Sequence, residues 1–170
     1  MRTVFAALVA ALAAAGCAGK MPQTADEFRQ MAPGAFMVQV QSFEVNRPVR
    51  EVGETFRRRA PGCLNITIRT TSSAPGSYQV IETAYKATVV AGASKAELHL
   101  QQKHLKGVVA VYKEPEDGRY LFVVDAVPAG ARATKVQIIG PSRGYDVLVR
   151  AFKAWADGSS TGCPDMTKIG

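Results

Sequence analysis

From Leu64 to Gly140 the chain reads as one strand after another, with a helical stretch before and after the run. That order restricts it to a sheet covered by helices. Leu64, Ile66 and Ile68 alternate with Asn65, Thr67 and Arg69, and YQVIETAYKATVV follows the polar loop TSSAPGS. KAELHLQQKH places Ala96, Leu98 and Leu100 on one side and Glu97, His99 and Gln101 on the other. GVVAVYKE turns through Pro115, Glu116, Asp117 and Gly118 into RYLFVVDAV, and Pro128-Ala129-Gly130 leads into ATKVQIIG. Period-two alternation bounded by turn residues marks half-buried antiparallel strands, and six in succession make a meander.

Ahead of the meander, AFMVQVQSFEVNRP alternates with Phe36, Val38 and Val40 on one face. The phase then slips to Phe43 and Val45, so a bulge is expected near Gln41 and Ser42. Asn46 is placed to cap a helix with Pro48 in its first turn; Val49, Val52, Phe56 and Ala60 follow at helical spacing, and Pro61-Gly62 is read as the stop. At the other end Tyr145, Leu148, Phe152 and Trp155 form one stripe, with Gly158 placed to end the helix. A short helix over 25–31 is expected from the capping-box spacing of Thr24 and Glu27, as a lid or tether.

The expected fold is α+β, an antiparallel sheet of about seven strands in the order strand, helix, six strands, helix, gripped by the C-terminal helix. A single domain spans 25–165, and 166–170 is read as a tail. Over 36–157 the order of elements is similar to the helix-grip fold of START and polyketide-cyclase domains, and to the helix-grip domains of BamC-type outer-membrane assembly lipoproteins. The resemblance implies a concave sheet face closed by the last helix, used either to hold an apolar ligand or as a scaffold. An open two-layer sandwich without a cavity is the alternative packing. Phe122, Tyr120, Tyr112, Val109, Ile138, Phe152 and Trp155 are bulky enough to fill the space without a guest.

The first sixteen residues carry one charge, Arg2, and then an almost unbroken run of Ala, Val, Leu and Phe. Crossing a hydrocarbon core of roughly 30 Å takes about 20 apolar residues as a helix, so this run reads as a signal peptide over 1–16. Ala14-Ala15-Gly16-Cys17 resembles the lipobox of bacterial lipoproteins. The resemblance implies cleavage after Gly16 and acylation of Cys17, with 17–24 as a linker, and Ala18 implies the periplasmic side of the outer membrane. Three acyl chains would anchor the chain stably. The rival reading is an ordinary secretory peptide cut near Ala13-Ala14-Ala15, which leaves Cys17 a free thiol.

With Cys17 assigned to lipid, Cys63 and Cys163 remain, an even number in an exported protein and hence one disulfide. Neither sits in a Cys/His motif that would make it a nucleophile or a metal ligand.

Few residues are arranged for chemistry. His99 and His104 lie five apart on one strand and face opposite sides, so no shared metal site is expected. Glu114, Glu116 and Asp117 fit a hairpin turn. Asp125, inside LFVVDAV, is the one acid with a chance of burial, and an outward position satisfied by water is the reading adopted. No G-x-S-x-G setting occurs. The chain therefore reads as non-enzymatic, with neither cofactor nor metal.

The formal charge is +7, of which the signal peptide removes only Arg2. Arg57, Arg58 and Arg59 concentrate it near the end of the first long helix, where cations also complement the helix dipole. They are the candidate contact to anionic phospholipid, lipopolysaccharide or an acidic partner protein. Nucleic acid is excluded as a partner by compartment and by the lack of aromatic interleaving. The expected role is that of an envelope lipoprotein acting as an accessory or scaffold, with a carrier or sensor of an apolar ligand as the alternative.

Overall fold

The structure, a computed structural model, describes residues 21–74, 77–108, 114–159 and 162–169. Among these, six strands form one antiparallel sheet: β1 (Val38–Val45), β2 (Ile66–Ala74), β3 (Ser77–Ala91), β4 (Ala96–Lys106), β5 (Arg119–Pro128) and β6 (Thr134–Pro141). Their order is β1-β6-β5-β4-β3-β2, a meander whose last strand pairs with the first. The helices are α1 (Ala25–Met31), α2 (Val49–Leu64) and α3 (Asp146–Asp157), and a 3-10 turn follows at Met166–Lys168. The fold is the expected α+β sheet gripped by a C-terminal helix. The further strand expected over 107–114 falls largely on 109–113, which lie outside the described residues together with Val109 and Tyr112.

Helix α2 carries the chain from β1 at one edge to β2 at the other, so it must cross a face of the sheet. It shares that face with α3. Val52, Phe56, Ala60 and Leu64 of α2 and Leu148, Phe152 and Trp155 of α3 are fully buried against Leu98, Leu100, Phe122, Val124, Val136 and Ile138. Phe122 meets Phe152 edge-on at 5.4 Å and Phe152 meets Trp155 at 5.9 Å. Such pairs add about 1 kcal/mol each beyond the area they bury. The strip is closed by small residues where backbones approach: a Cβ on Gly140 would stand 2.2 Å from the Phe122 ring.

Several local expectations give way. Strand β1 runs in unbroken register with β6 from Val38↔Pro141 to Val45↔Thr134, so there is no bulge at Gln41 and Ser42. The phase slip arises because β1 is covered on both faces: Val38 packs outward under α1, while Phe43 and Val45 face the α2/α3 side. Register shifts instead occur between Leu100 and Gln101 against β5, where Leu121 is the extra residue, and between Glu82 and Thr83 against β4, where Leu105 is. Asn46 does not cap α2; Pro48 holds the N-cap position with no side-chain bond.

Pro61 does not stop α2 but lies inside it. Its missing N–H forgoes one bond to the Arg57 carbonyl. Burial of Cys63 and Leu64 in the next turn offsets that loss. At the end of α3, Gly158 takes the expected left-handed conformation at φ 87°, and the Ser159 N–H donates to the Ala154 carbonyl.

On the opposite face α1 covers part of the sheet. Ala25, Phe28 and Ala32 pack onto Val123 and Ile139, flanked by Val38 and Tyr120. The Thr24 hydroxyl accepts from the Glu27 N–H at 3.1 Å, as the capping-box spacing anticipated. The chain end is also less free than a tail: Met166 is 4% exposed and joins the main core, with Ile169 packed beside it.

Candidate functional site

Cys63 and Cys163 are bonded, with Cα atoms 5.1 Å apart and a sequence separation of 100. The bridge ties the segment after α3 to the last turn of α2. Residues 164–169 are thereby held against the end of the gripped face, where the 3-10 turn borders a partly open pocket of about 190 Å³. Its walls are Ile68 and Thr70 on β2, Thr83 and Tyr85 on β3, Gln102 and His104 on β4, Tyr145 before α3, and Met166, Thr167 and Ile169 from the chain end.

The alternation of β4 places the polar groups here. Ala96, Leu98 and Leu100 face the helices, and the same period carries on to Gln102 and His104 after the apolar positions end. Gln102 is 4% exposed and stands opposite Tyr85; His104 stands opposite Thr83. His104 Nδ1 lies 3.0 Å from Thr83 Oγ1, and its Nε2 lies 3.2 Å from Gln102 Nε2 and 3.5 Å from Arg119 Nη2. A guanidinium only donates, so Nε2 presents its lone pair and Nδ1 carries the hydrogen toward Thr83. Burial and then Arg119 push the His104 pKa down, with Glu114 opposing, which keeps the ring neutral. Burial and then Tyr145 raise the Tyr85 phenol to about 12.

Among the described residues two buried side-chain atoms are left over, Trp155 Nε1 within the grip and one at this end. Gln102 Oε1 is buried without a hydrogen-bond partner. The Thr83 hydroxyl, having accepted from His104, keeps its own proton to donate. The pocket lining mixes apolar side chains, Ile68, Met166 and Ile169, with the hydroxyls of Thr70, Thr83, Thr167, Tyr85 and Tyr145. An unsatisfied buried amide oxygen costs roughly 1 to 3 kcal/mol. The signal was present in the sequence as two polar residues, Gln102 and His104, continuing the inward phase of LHLQQKH.

The other residues of interest separate. Arg57 leaves the triplet to donate to the Ala91 carbonyl at 3.1 Å. Arg58 and Arg59 instead line an open hollow of about 370 Å³ with Arg47, Thr55, Gly158 and Ser159. Arg47 is spent on structure, donating to the Ala156 carbonyl at 2.9 Å, the Trp155 carbonyl at 3.2 Å and Thr55 Oγ1 at 3.2 Å. The structure thus does not bring the three arginines of the triplet to one surface. Cys17 lies outside the described residues.

Asp125 does face outward, as expected, but its partner is a guanidinium. Arg29 on α1 donates from Nε and Nη2 to its two oxygens at 2.8 and 2.7 Å, and also to Glu97. His99 stands 2.7 Å from Glu97 on this outer face, on the opposite side of the sheet from His104. Burial opposes ionisation of Glu97, yet bonds from Lys95, Arg29 and His99 outweigh it and hold the carboxyl down to about 2. The hydrogen bond to Asp125 raises the Arg29 pKa above its ordinary value, so this cation is fixed. The cluster is paired and covered by α1, and it has the composition of a clamp. Among the described residues no group of three or more His, Cys, Asp and Glu side chains is arranged to hold a metal, and no helix is long and apolar enough to cross a membrane.

No protein-family model matches the sequence, and a search of curated proteins finds no match either. Among solved structures, the crystal structure of the di-domain ARO/CYC BexL from the BE-7585A biosynthetic pathway matches 72% of this chain at 14% identity, with a TM-score of 0.34. The chain spans 45% of the length of that structure. A likeness of that degree bears on neither ligand nor reaction.

Proposed function

We propose that the chain is a lipid-anchored accessory protein of the bacterial envelope, held by acylated Cys17 on the periplasmic side of the outer membrane and working through its surface, without catalysis. The observation that carries the non-carrier half of this reading is the filled grip. Trp155, Phe56, Phe122 and Phe152 are all fully buried between sheet and helices. A drug-sized ligand occupies about 300 to 1,000 Å³, whereas the partly open pocket at the end of the grip has about 190 Å³. That space is too small for an acyl chain bundle or a lipid. The disulfide agrees with an oxidising compartment. Arg58 and Arg59, in their open hollow, supply cations for an acidic partner protein or anionic head groups.

Two measurements test this. Fatty-acid labelling should mark the wild type and be lost in Cys17→Ser, with the variant leaving the membrane fraction; an unlabelled wild type removes the anchor. Native mass spectrometry of residues 21–170 from periplasm should show the bare chain mass. A lipid retained at near one-to-one occupancy would replace the accessory reading with a carrier.

A further inference from the structure

We propose that the apolar corner formed by Met31, Phe36, Met37 and Val40 docks into the surface of the phospholipid bilayer that holds acylated Cys17. This deepens the envelope reading and rests on the tether at Cys17. It adds a contact that orients the domain on the membrane.

The first observation is exposure. Met31 ends α1, Phe36 and Met37 lie in the turn that follows, and Val40 is on β1, and all four side chains stand in solvent. Phe36 is 92% exposed, close to the most that a side chain can be. Val40 shares the outer face of the sheet with Val38, which packs under α1. The bare groups therefore continue a covered apolar cluster past its edge. Single exposed apolar side chains are ordinary, whereas several along one short stretch mark a contact surface.

The second is that the turn is fixed. The Ala35 N–H donates to the Ala32 carbonyl at 3.0 Å, the Val38 N–H to the Ala35 carbonyl at 3.2 Å, and the Ser142 N–H to the Met37 carbonyl at 2.9 Å. Met37 is held at φ 61°, a left-handed conformation that a long side chain rarely adopts. Strain of this kind persists only where the surroundings impose it, and it gathers at binding sites.

The third is place, and it selects the occupant. The chain enters α1 at Ala25, in the cluster that includes Tyr120 at the start of β5. Strand β5 starts, β6 ends and β1 starts at one end of the sheet, and β5 and β1 lie two strand spacings apart, roughly 10 Å. From Cys17 to Ala25 the chain spans at most about 28 Å even when fully extended. An acylated Cys17 thus keeps the end of the sheet that carries the corner close to the bilayer. Arg143, next to the Ser142 that braces Met37, is exposed and forms no ion pair among the described residues. A bare cation beside apolar side chains suits a bilayer with anionic head groups. The hollow of Arg58 and Arg59 adjoins Arg47, past the other end of β1 and roughly 23 Å away, so in this orientation it faces an acidic partner protein and not the head groups.

The test supplies the tether chemically, so that it does not depend on acylation. Residues 18–170 with an N-terminal hexahistidine tag are bound to vesicles of phosphatidylethanolamine, phosphatidylglycerol and a nickel-chelating lipid. Trp155 is the one tryptophan of the chain and is fully buried, so a second tryptophan placed on the surface reports its own surroundings. Phe36→Trp puts the reporter in the corner, and Tyr78→Trp puts it on β3, at a side chain 70% exposed and away from the corner. Both positions are in solvent, so neither change disturbs the core. Acyl chains brominated near the head group should quench the added emission of Phe36→Trp about twofold and shift it to the blue, with no such change in Tyr78→Trp. Equal quenching of the two reporters, or none in either, would overturn the proposal. So would a dimer of the untethered chain that forms with rising concentration and is lost in Phe36→Ser, since the corner would then belong to a second copy. Fatty-acid labelling decides the anchor separately: an unlabelled wild type removes the natural tether, whereas unquenched Phe36→Trp on a labelled protein removes the docking alone.

Discussion

Arg29 and Asp125, 96 positions apart, meet through two parallel hydrogen bonds of 2.8 and 2.7 Å on the outer face of the sheet. Both side chains are mostly covered, at 17% and 13% exposure. A seven-residue helix has little stability of its own, so α1 holds its place through this pair and through Phe28. Arg29→Met should leave Glu97 and Asp125 facing each other under the helix with only the more exposed Lys95 between them. We expect a loss of about 3 kcal/mol in urea unfolding, together with fast hydrogen exchange over 25–31. An unchanged exchange pattern would show that Phe28 alone seats the helix.

The same cluster sets an acid limit. Glu97 has its pKa lowered from 4.5 to about 2 in the folded chain. Its contribution is therefore complete above about 4.5 and is lost as the pH falls toward 2. Thermal melts should fall more steeply over that window in the wild type than in Glu97→Gln. At neutral pH the variant should be about 1 to 2 kcal/mol less stable, a figure reduced for the partial solvent access of the group. Parallel curves for the two proteins would contradict the assignment.

Removing the disulfide with Cys63→Ala and Cys163→Ala should cost on the order of 4 kcal/mol, because the bridge closes a loop of 100 residues. The loss should be accompanied by exposure of Met166 to oxidation, since the segment that seats it is no longer tied to α2. Wild-type protein in dithiothreitol should behave as the double variant does. Protection of Met166 in both would place the hold on the chain end in its own packing.

Gly140→Ala tests the close approach within the grip. The added Cβ would lie 2.2 Å from Phe122, whose ring is in turn wedged against Phe152 and Tyr145. We expect a loss of about 3 kcal/mol and weakened near-ultraviolet dichroism, the signs of an overpacked core. Gly62, with nothing within 4 Å of an added Cβ, is the control position, and Gly62→Ala should be neutral or slightly stabilising.

The alternation in β2 to β6, the stripe of Leu148, Phe152 and Trp155, and Gly158 at the end of α3 were all legible in the sequence. Each is a pattern over two to four neighbours that the backbone geometry converts directly into a face or a cap. Even the pairing of Cys63 with Cys163 followed from counting. Other features had no local signature. The two-sided burial of β1 depends on α1 returning over the outer face, so its alternation read as a slip. Pro61 is tolerated in α2 because Cys63 and Leu64 are buried one turn later. Asp125 looked like a solvated acid until Arg29 arrived from another part of the chain. Gln102 had a visible phase, but that its Oε1 is buried without a partner is apparent only in the packed structure. Side-chain partners separated by tens of residues are chosen by packing, and packing is settled by the whole set of faces at once.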